Sequence, residues 1–232
     1  MILEKVLEKQ ICQCKNVIMN NVVENLNIVY TLEGKIYINL TNMCSNRCIF
    51  CIRTVSEEVE GKNLWLKNEN FGVDVVEKQL DEVIKTNPHA KEIVFCGFGE
   101  PLIKFDMFCE TAEYIRKKYP QMKIRVNTNG QANLIHKKDV IPELAKLVDA
   151  VSVSLNGDSK EVYNFFSQPF DKENSYEAVK SFIKGCADAG IVTSATIVTG
   201  YKDAKIDVQK CKEIANSLGA NFRVREWLPK GY

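Results

Sequence analysis

From residue 36 onward the chain alternates short apolar runs with longer segments of helical periodicity, and this alternation limits the possible folds more than any other feature. The runs at 36–41, 92–96, 123–128, 150–155, 191–198 and 221–227 read as strands. Helical spacing covers 73–86, 104–119, 138–147, 159–166 with 175–189, and 204–218. A strand followed each time by a helix needs crossover connections, so the sheet is expected to be parallel, with helices on its outer face. Six such strands are two short of a full (β/α)8 barrel, and an open partial barrel or a doubly wound sheet would both satisfy the pattern. Residues 1–35 form an N-terminal extension, with Ile2, Leu3, Val6, Leu7 and Ile11 near helical spacing within 1–26. Residues 36–232 form one core domain.

Within the strands the two faces differ. In Val151-Ser152-Val153-Ser154-Leu155-Asn156 the apolar residues point one way and Ser152, Ser154 and Asn156 the other. Ile36 to Thr41 and Ile124 to Asn127 repeat the pattern, and in 222–227 it places Arg223 and Arg225 with the polar set. Helices must cover the apolar face, so the polar set should face the concave side. A packed barrel interior is filled by branched aliphatic side chains; a polar interior implies a cavity for a polar ligand.

The balance of 31 Lys+Arg against 30 Asp+Glu gives a net charge of +1, so no sequence-wide field attracts nucleic acid or an anionic membrane. The first residues interleave Glu and Lys with apolar positions, and no run is long enough to span a bilayer. A soluble cytoplasmic protein is expected. Nine cysteines leave one over if all the others pair, which disfavours a disulfide framework.

Three of the nine form a tight cluster in Thr41-Asn42-Met43-Cys44-Ser45-Asn46-Arg47-Cys48-Ile49-Phe50-Cys51, a C-x3-C-x2-C run just after the first strand. Three thiolates on one loop can hold three corners of a cubane iron–sulfur cluster, leaving a fourth iron open to substrate or cofactor. Zinc on three cysteines and a remote histidine is the alternative, but His89 and His136 have no finger-like spacing.

The run resembles the cysteine motif of the radical S-adenosylmethionine (radical SAM) superfamily, and the likeness extends over most of 36–227. It implies a partial (β/α)6 TIM-like barrel of parallel strands, open on one side, with a [4Fe-4S] cluster on Cys44, Cys48 and Cys51. In the family the open iron chelates SAM, and Phe50 matches the aromatic residue beside the adenine. Gly97-Phe98-Gly99-Glu100-Pro101 resembles the glycine-rich segment that holds the methionyl amine, with Phe where Gly is usual, which implies cofactor roles for Gly97, Gly99 and Glu100. By the same likeness Asn127 and Asn129, and Ser154 and Asn156, are candidate SAM contacts at the ends of the third and fourth strands. Taken together, these segments and Arg223-Val224-Arg225-Glu226 are similar to the small radical SAM proteins associated with TatD-type nucleases, for which no reaction is implied.

The resemblance implies an enzyme that reductively cleaves SAM to a 5′-deoxyadenosyl radical, and it calls for a reductase or a flavodoxin- or ferredoxin-type electron donor. Two other readings are an activase that installs a radical on a partner protein and a cluster-binding redox or interaction protein without SAM chemistry. Arg223 and Arg225 are candidates for an anionic substrate, since a guanidinium fork matches carboxylate and phosphate. Arg53 with Asn63 to Leu66 is a candidate lid. Cys96, Cys109, Cys186 and Cys211 read as core packing, and Cys12 and Cys14 as a thiol pair in the extension.

Overall fold

The computed structural model describes residues 27–202 and 205–228. Six strands run parallel as expected: β2 (Lys35–Ile38), β5 (Glu92–Phe95), β6 (Lys123–Thr128), β7 (Ala150–Ser154), β8 (Val192–Thr199) and β9 (Asn221–Glu226). A seventh, β1 (Val29–Leu32), pairs antiparallel with β2, giving the order β1-β2-β5-β6-β7-β8-β9. The outer strands β1 and β9 do not pair with each other, so the barrel stays open. The helix expected within 1–26, and Cys12 and Cys14, lie outside the described residues.

β1 joins β2 through Glu33-Gly34, both at positive φ, 48° and 73°. That is the two-residue turn whose twist matches a hairpin. Glu60-Gly61 repeats it and makes a small hairpin of β3 (Glu58–Val59) and β4 (Lys62–Asn63), within a stretch that reads as irregular in the sequence.

The helices are α1 (Val73–Thr86), α2 (Phe105–Lys118), α3 (Ala132–His136), α4 (Ile141–Leu147), α5 (Lys160–Ser167), α6 (Ser175–Asp188) and α7 (Val208–Ser217). Where 138–147 is expected to be one helix, α4 begins only at Ile141. The side chain of Asn133 accepts from Val140 N and that of Asp139 from Ile141 N, capping the chain there after the short α3. Ser159 and Asp207 likewise cap α5 and α7 by accepting from Val162 N and Lys210 N.

The alternation along the strands sorts as the sequence implies. Ile36, Ile38, Ile124, Val126, Val151, Val153 and Leu155 are buried in the core between sheet and helices, which Phe95 and Phe108 join edge to face at 4.5 Å. A smaller apolar cluster of Tyr30, Leu32, Tyr37, Val59, Leu64, Val94 and Phe98 lies on the concave side.

The segment after β2 packs directly on the turn after β5, and glycine is what lets them approach. A Cβ on Gly99 would stand 2.2 Å from Thr41 O and 2.5 Å from Met43 O; one on Gly97 would stand 1.9 Å from Asn39 Oδ1. At both positions the neighbours that exclude a side chain are the protein's own. Gly99→Ala must displace backbone and Gly97→Ala only a side chain. Thermal unfolding should therefore show Gly99→Ala as the more destabilising, with a loss above the ~1–3 kcal/mol of ordinary overpacking; equal losses would contradict the packing described.

Candidate functional site

Cys44, Cys48 and Cys51 lie on a loop clamped from two sides. On one side the Arg53 guanidinium donates to Asn42 O (2.9 Å), Phe98 O (3.3 Å) and Asn46 O (3.3 Å). The Asn42 side chain exchanges two hydrogen bonds with the Leu66 backbone, and the Glu69 carboxylate accepts from Thr41 Oγ1 and Asn42 N. On the other side Arg47 N donates to Ser167 O and Ile49 N to Phe166 O, at the end of α5, and Phe170 N donates to Ser45 O. Arg53 is thus a clamp on three carbonyls. In the candidate lid segment Leu64 and Leu66 are buried and Trp65 lies against Phe98 at 6.5 Å.

The three cysteines are unpaired and partly buried. Burial, then the neighbouring Cys44 and Cys51, pushes the Cys48 thiol up to about 12, and burial and Glu100 raise that of Cys44. The thiols therefore sense one another electrostatically. Among the described residues no three His, Cys, Asp or Glu side chains stand close enough to cage a single metal ion.

Glu100 is buried beneath this loop. Its carboxylate accepts from Asn129 N (2.6 Å), Thr128 Oγ1 (2.7 Å) and Leu102 N (3.1 Å), and its own N–H donates to Met43 O (2.7 Å). Burial raises its pKa to about 7 against the opposing pull of these hydrogen bonds. Asn129 carries the link onward: its Nδ2 donates to Ser45 Oγ at 2.8 Å and lies 3.8 Å from Cys44 Sγ. Behind Cys48, Gln131 donates to both Asn46 Oδ1 (2.7 Å) and the Tyr163 hydroxyl (2.8 Å). Asn46, Gln131 and Tyr163 are buried polar groups with no motif to announce them in the sequence.

The concave side holds a cavity of about 290 Å³. Phe50 and Cys51 border it at the loop, Gly97 and Asn127 at the strand ends, and Arg125, Arg223 and Arg225 along one wall. Arg125 is bound to Glu92 (2.9 Å) and to Asn127 Oδ1 (2.6 Å). Burial, Arg223 and Arg125 depress the Arg225 pKa, while Cys96 and Tyr37 act against them. Cys96, read from the sequence as core packing, packs on the concave cluster and also lines this cavity. Cys186 and Cys211 are buried in the main core and Cys109 is packed against it, as read.

Trp227 lines the cavity and is tied to the cysteine loop. Its indole N–H donates to Phe50 O at 3.0 Å, and Tyr201 stands between the two rings, 5.0 Å from Trp227 and 6.4 Å from Phe50. The remaining candidates are not all brought to the cavity wall. Ser154 pairs in register with Thr196. Asn156 is buried with φ of 47°, its N–H donating to Thr196 O. Glu100 and Asn129 meet the cysteine loop rather than the cavity.

The described sequence matches the model of the radical SAM superfamily over residues 38–213. Among characterised relatives, the FeMo cofactor biosynthesis protein NifB of Methanocaldococcus jannaschii is 28% identical over 136 residues, 58% of this chain and 43% of that protein. A probable GTP 3′,8-cyclase of Thermococcus kodakarensis is 25% identical over 173 residues, 73% of this chain and 49% of that one. The chain thus spans less than half the length of either. In fold it is similar to Streptococcus suis SuiB bound to S-adenosylmethionine, with a TM-score of 0.62, 18% identity, and coverage of 83% of this chain and 40% of SuiB. The chain belongs to the radical SAM superfamily, a class of enzymes whose cofactors are a [4Fe-4S] cluster and SAM. The narrower likeness to the TatD-associated proteins rests on the residues quoted above. Among the described residues no helix is long and apolar enough to cross a membrane.

The raised pKa of Glu100 has a definite sign. The native state holds the proton more tightly than the unfolded chain, so this group's contribution to stability falls as pH rises from the ordinary carboxylate range to about 7, and is level above it. Glu100→Gln removes the titration. Denaturant unfolding from pH 4.5 to 8 should show the variant gaining on the parent by up to about 3 kcal/mol; a constant difference would refute the assignment.

Proposed function

We propose that Cys44, Cys48 and Cys51 hold a [4Fe-4S] cluster with one iron left open to SAM, and that the substrate is bound in the arginine-lined cavity beside it. The observation that carries this reading is the shared wall: Phe50 and Cys51 of the cysteine loop border the same cavity as Arg223 and Arg225. The bound cofactors would supply an electron and a 5′-deoxyadenosyl radical that takes a hydrogen atom from substrate.

This chain's part is to bind, orient and exclude water. Phe50, whose carbonyl is held by Trp227, would lie against the adenine. The backbone at Gly97 and Gly99 would border the methionyl end, where Glu100 acts by holding Met43, Thr128 and Asn129 in place. Asn129 reaches Cys44, and Asn127, Ser154 and Asn156 would offer polar groups to SAM from the strand ends. The apolar cluster around Tyr37 and Phe98 keeps water from the reacting centre. Reduction falls to a flavodoxin- or ferredoxin-type protein or a reductase. The unpaired cysteines among the described residues suit the cytoplasm.

An anionic substrate is favoured by the arginines along the cavity wall. A second reading, radical transfer to a partner protein, is supported by the open gap between β1 and β9.

The test is anaerobic reconstitution with iron and sulfide, reduction with dithionite, and assay for 5′-deoxyadenosine. The product should appear only with SAM, and Cys48→Ala should lose cluster iron and product together. A cluster that forms but neither binds nor cleaves SAM would leave a redox or binding role in place of the radical one.

A further inference from the structure

The cavity beside the cysteine loop has two chemically different walls, and they come from opposite edges of the open sheet. On the β9 side stand Arg223 and Arg225, with Arg125 of β6 behind them. On the β1–β2 side stand Tyr30, Leu32, Tyr37 and Phe98, all nearly buried, with the Tyr30 and Tyr37 rings stacked at 5.3 Å. The Tyr30 hydroxyl is already spent on Cys96 O at 3.1 Å, so that ring offers its face and not its donor.

Charge bookkeeping on the lining narrows the ligand. Lys35, Arg125, Arg223 and Arg225 face Glu33 and Glu226 around the cavity, and Glu92 just outside it binds both Lys35 (3.5 Å) and Arg125. Arg125 has two acceptors in Glu92 and Asn127 and serves mainly as fixed positive charge. Four cations against the three carboxylates Glu33, Glu92 and Glu226 leave a surplus of one positive charge around the cavity. It suits a singly charged oxyanion better than a phosphate dianion.

We infer that the substrate of this site is an organic carboxylate with an apolar or aromatic body, its carboxylate held by Arg223 and Arg225 and its body lying on the Tyr30–Tyr37 face. This rests on the cavity being the substrate compartment, and it adds the chemical class and the orientation. The guanidinium fork matches a planar carboxylate, and the tyrosine faces match a planar or branched body. Because the ligand touches both edges of the open barrel, it ties β9 to the β1–β2 hairpin in the gap where no strand pairs.

The class is read by direct binding, which needs no turnover. The reconstituted protein with SAM is titrated calorimetrically or by ligand-observed NMR with phenylacetate, phenylacetamide, acetate and phenyl phosphate. Phenylacetate should bind at least about tenfold more tightly than the neutral amide, than acetate, which lacks the body, and than phenyl phosphate. Arg223→Gln with Arg225→Gln should abolish the preference for acid over amide, and Arg225→Lys should weaken it, since the charge remains and the fork is lost. Amide binding equal to acid, or a preference that survives the double Gln variant, would overturn the inference. Tighter binding of phenyl phosphate would overturn the carboxylate assignment. SAM cleavage by the unmodified protein is scored separately. Cleavage without anion binding defeats only this inference, and anion binding without cleavage defeats the radical reading while leaving the pocket's specificity standing.

Discussion

The buried carboxylate of Glu100 is the joint on which the site depends. It stands where the turn after β5, the end of β6 and the cysteine loop meet: Leu102 N in the turn gives it one hydrogen bond, Thr128 and Asn129 at the end of β6 give it two, and the backbone N–H of the same residue reaches the loop at Met43 O. A charge or proton at that depth is tolerated only because three donors converge on it. Gly99 makes the convergence possible, because any side chain there would drive the loop backbone away. The glycine and the acid are two halves of one device: the first lets the segments touch and the second holds them.

From that joint the loop's remaining restraints follow. Arg53 takes up three carbonyls on the side facing Phe98, and the last turn of α5 offers its free carbonyls to the N–H groups of Arg47 and Ile49. Carbonyls at a helix end lack partners within the helix, so a loop with N–H groups to spare is a natural complement. Preorganisation of the thiols therefore comes from backbone groups on both sides, and little is left to the flexibility of the loop.

Much of this was legible in the residues. The alternation in Ile36 to Thr41, Ile124 to Asn127 and Val151 to Asn156 separated core from cavity, because a strand has no freedom to send neighbours to the same face. Periodicity alone started the last helix at 204, whereas the Asp207 cap begins it at Val208. The Glu33-Gly34 and Glu60-Gly61 turns were not legible, since Glu is not the residue that usually marks such a turn, although its repetition before Gly was a usable signal. Gln131 and Tyr163 could not be assigned for another reason: their partners lie 32 to 117 residues away, and no local pattern encodes a long-range contact. Cys96, read by type as a small hydrophobe, does pack, though on the concave cluster, where it also borders the cavity.

The hydrogen bond from Trp227 to Phe50 joins residues 177 apart. A ribosome that releases the chain from its N-terminus exposes the cysteine loop early and provides its last restraint only after β9 has emerged. During that interval the thiols are accessible on an unfinished scaffold, open to oxidation or to stray metals. A truncation before Trp227 would remove this one tie and leave the restraints from Arg53, Glu69 and the end of α5 in place.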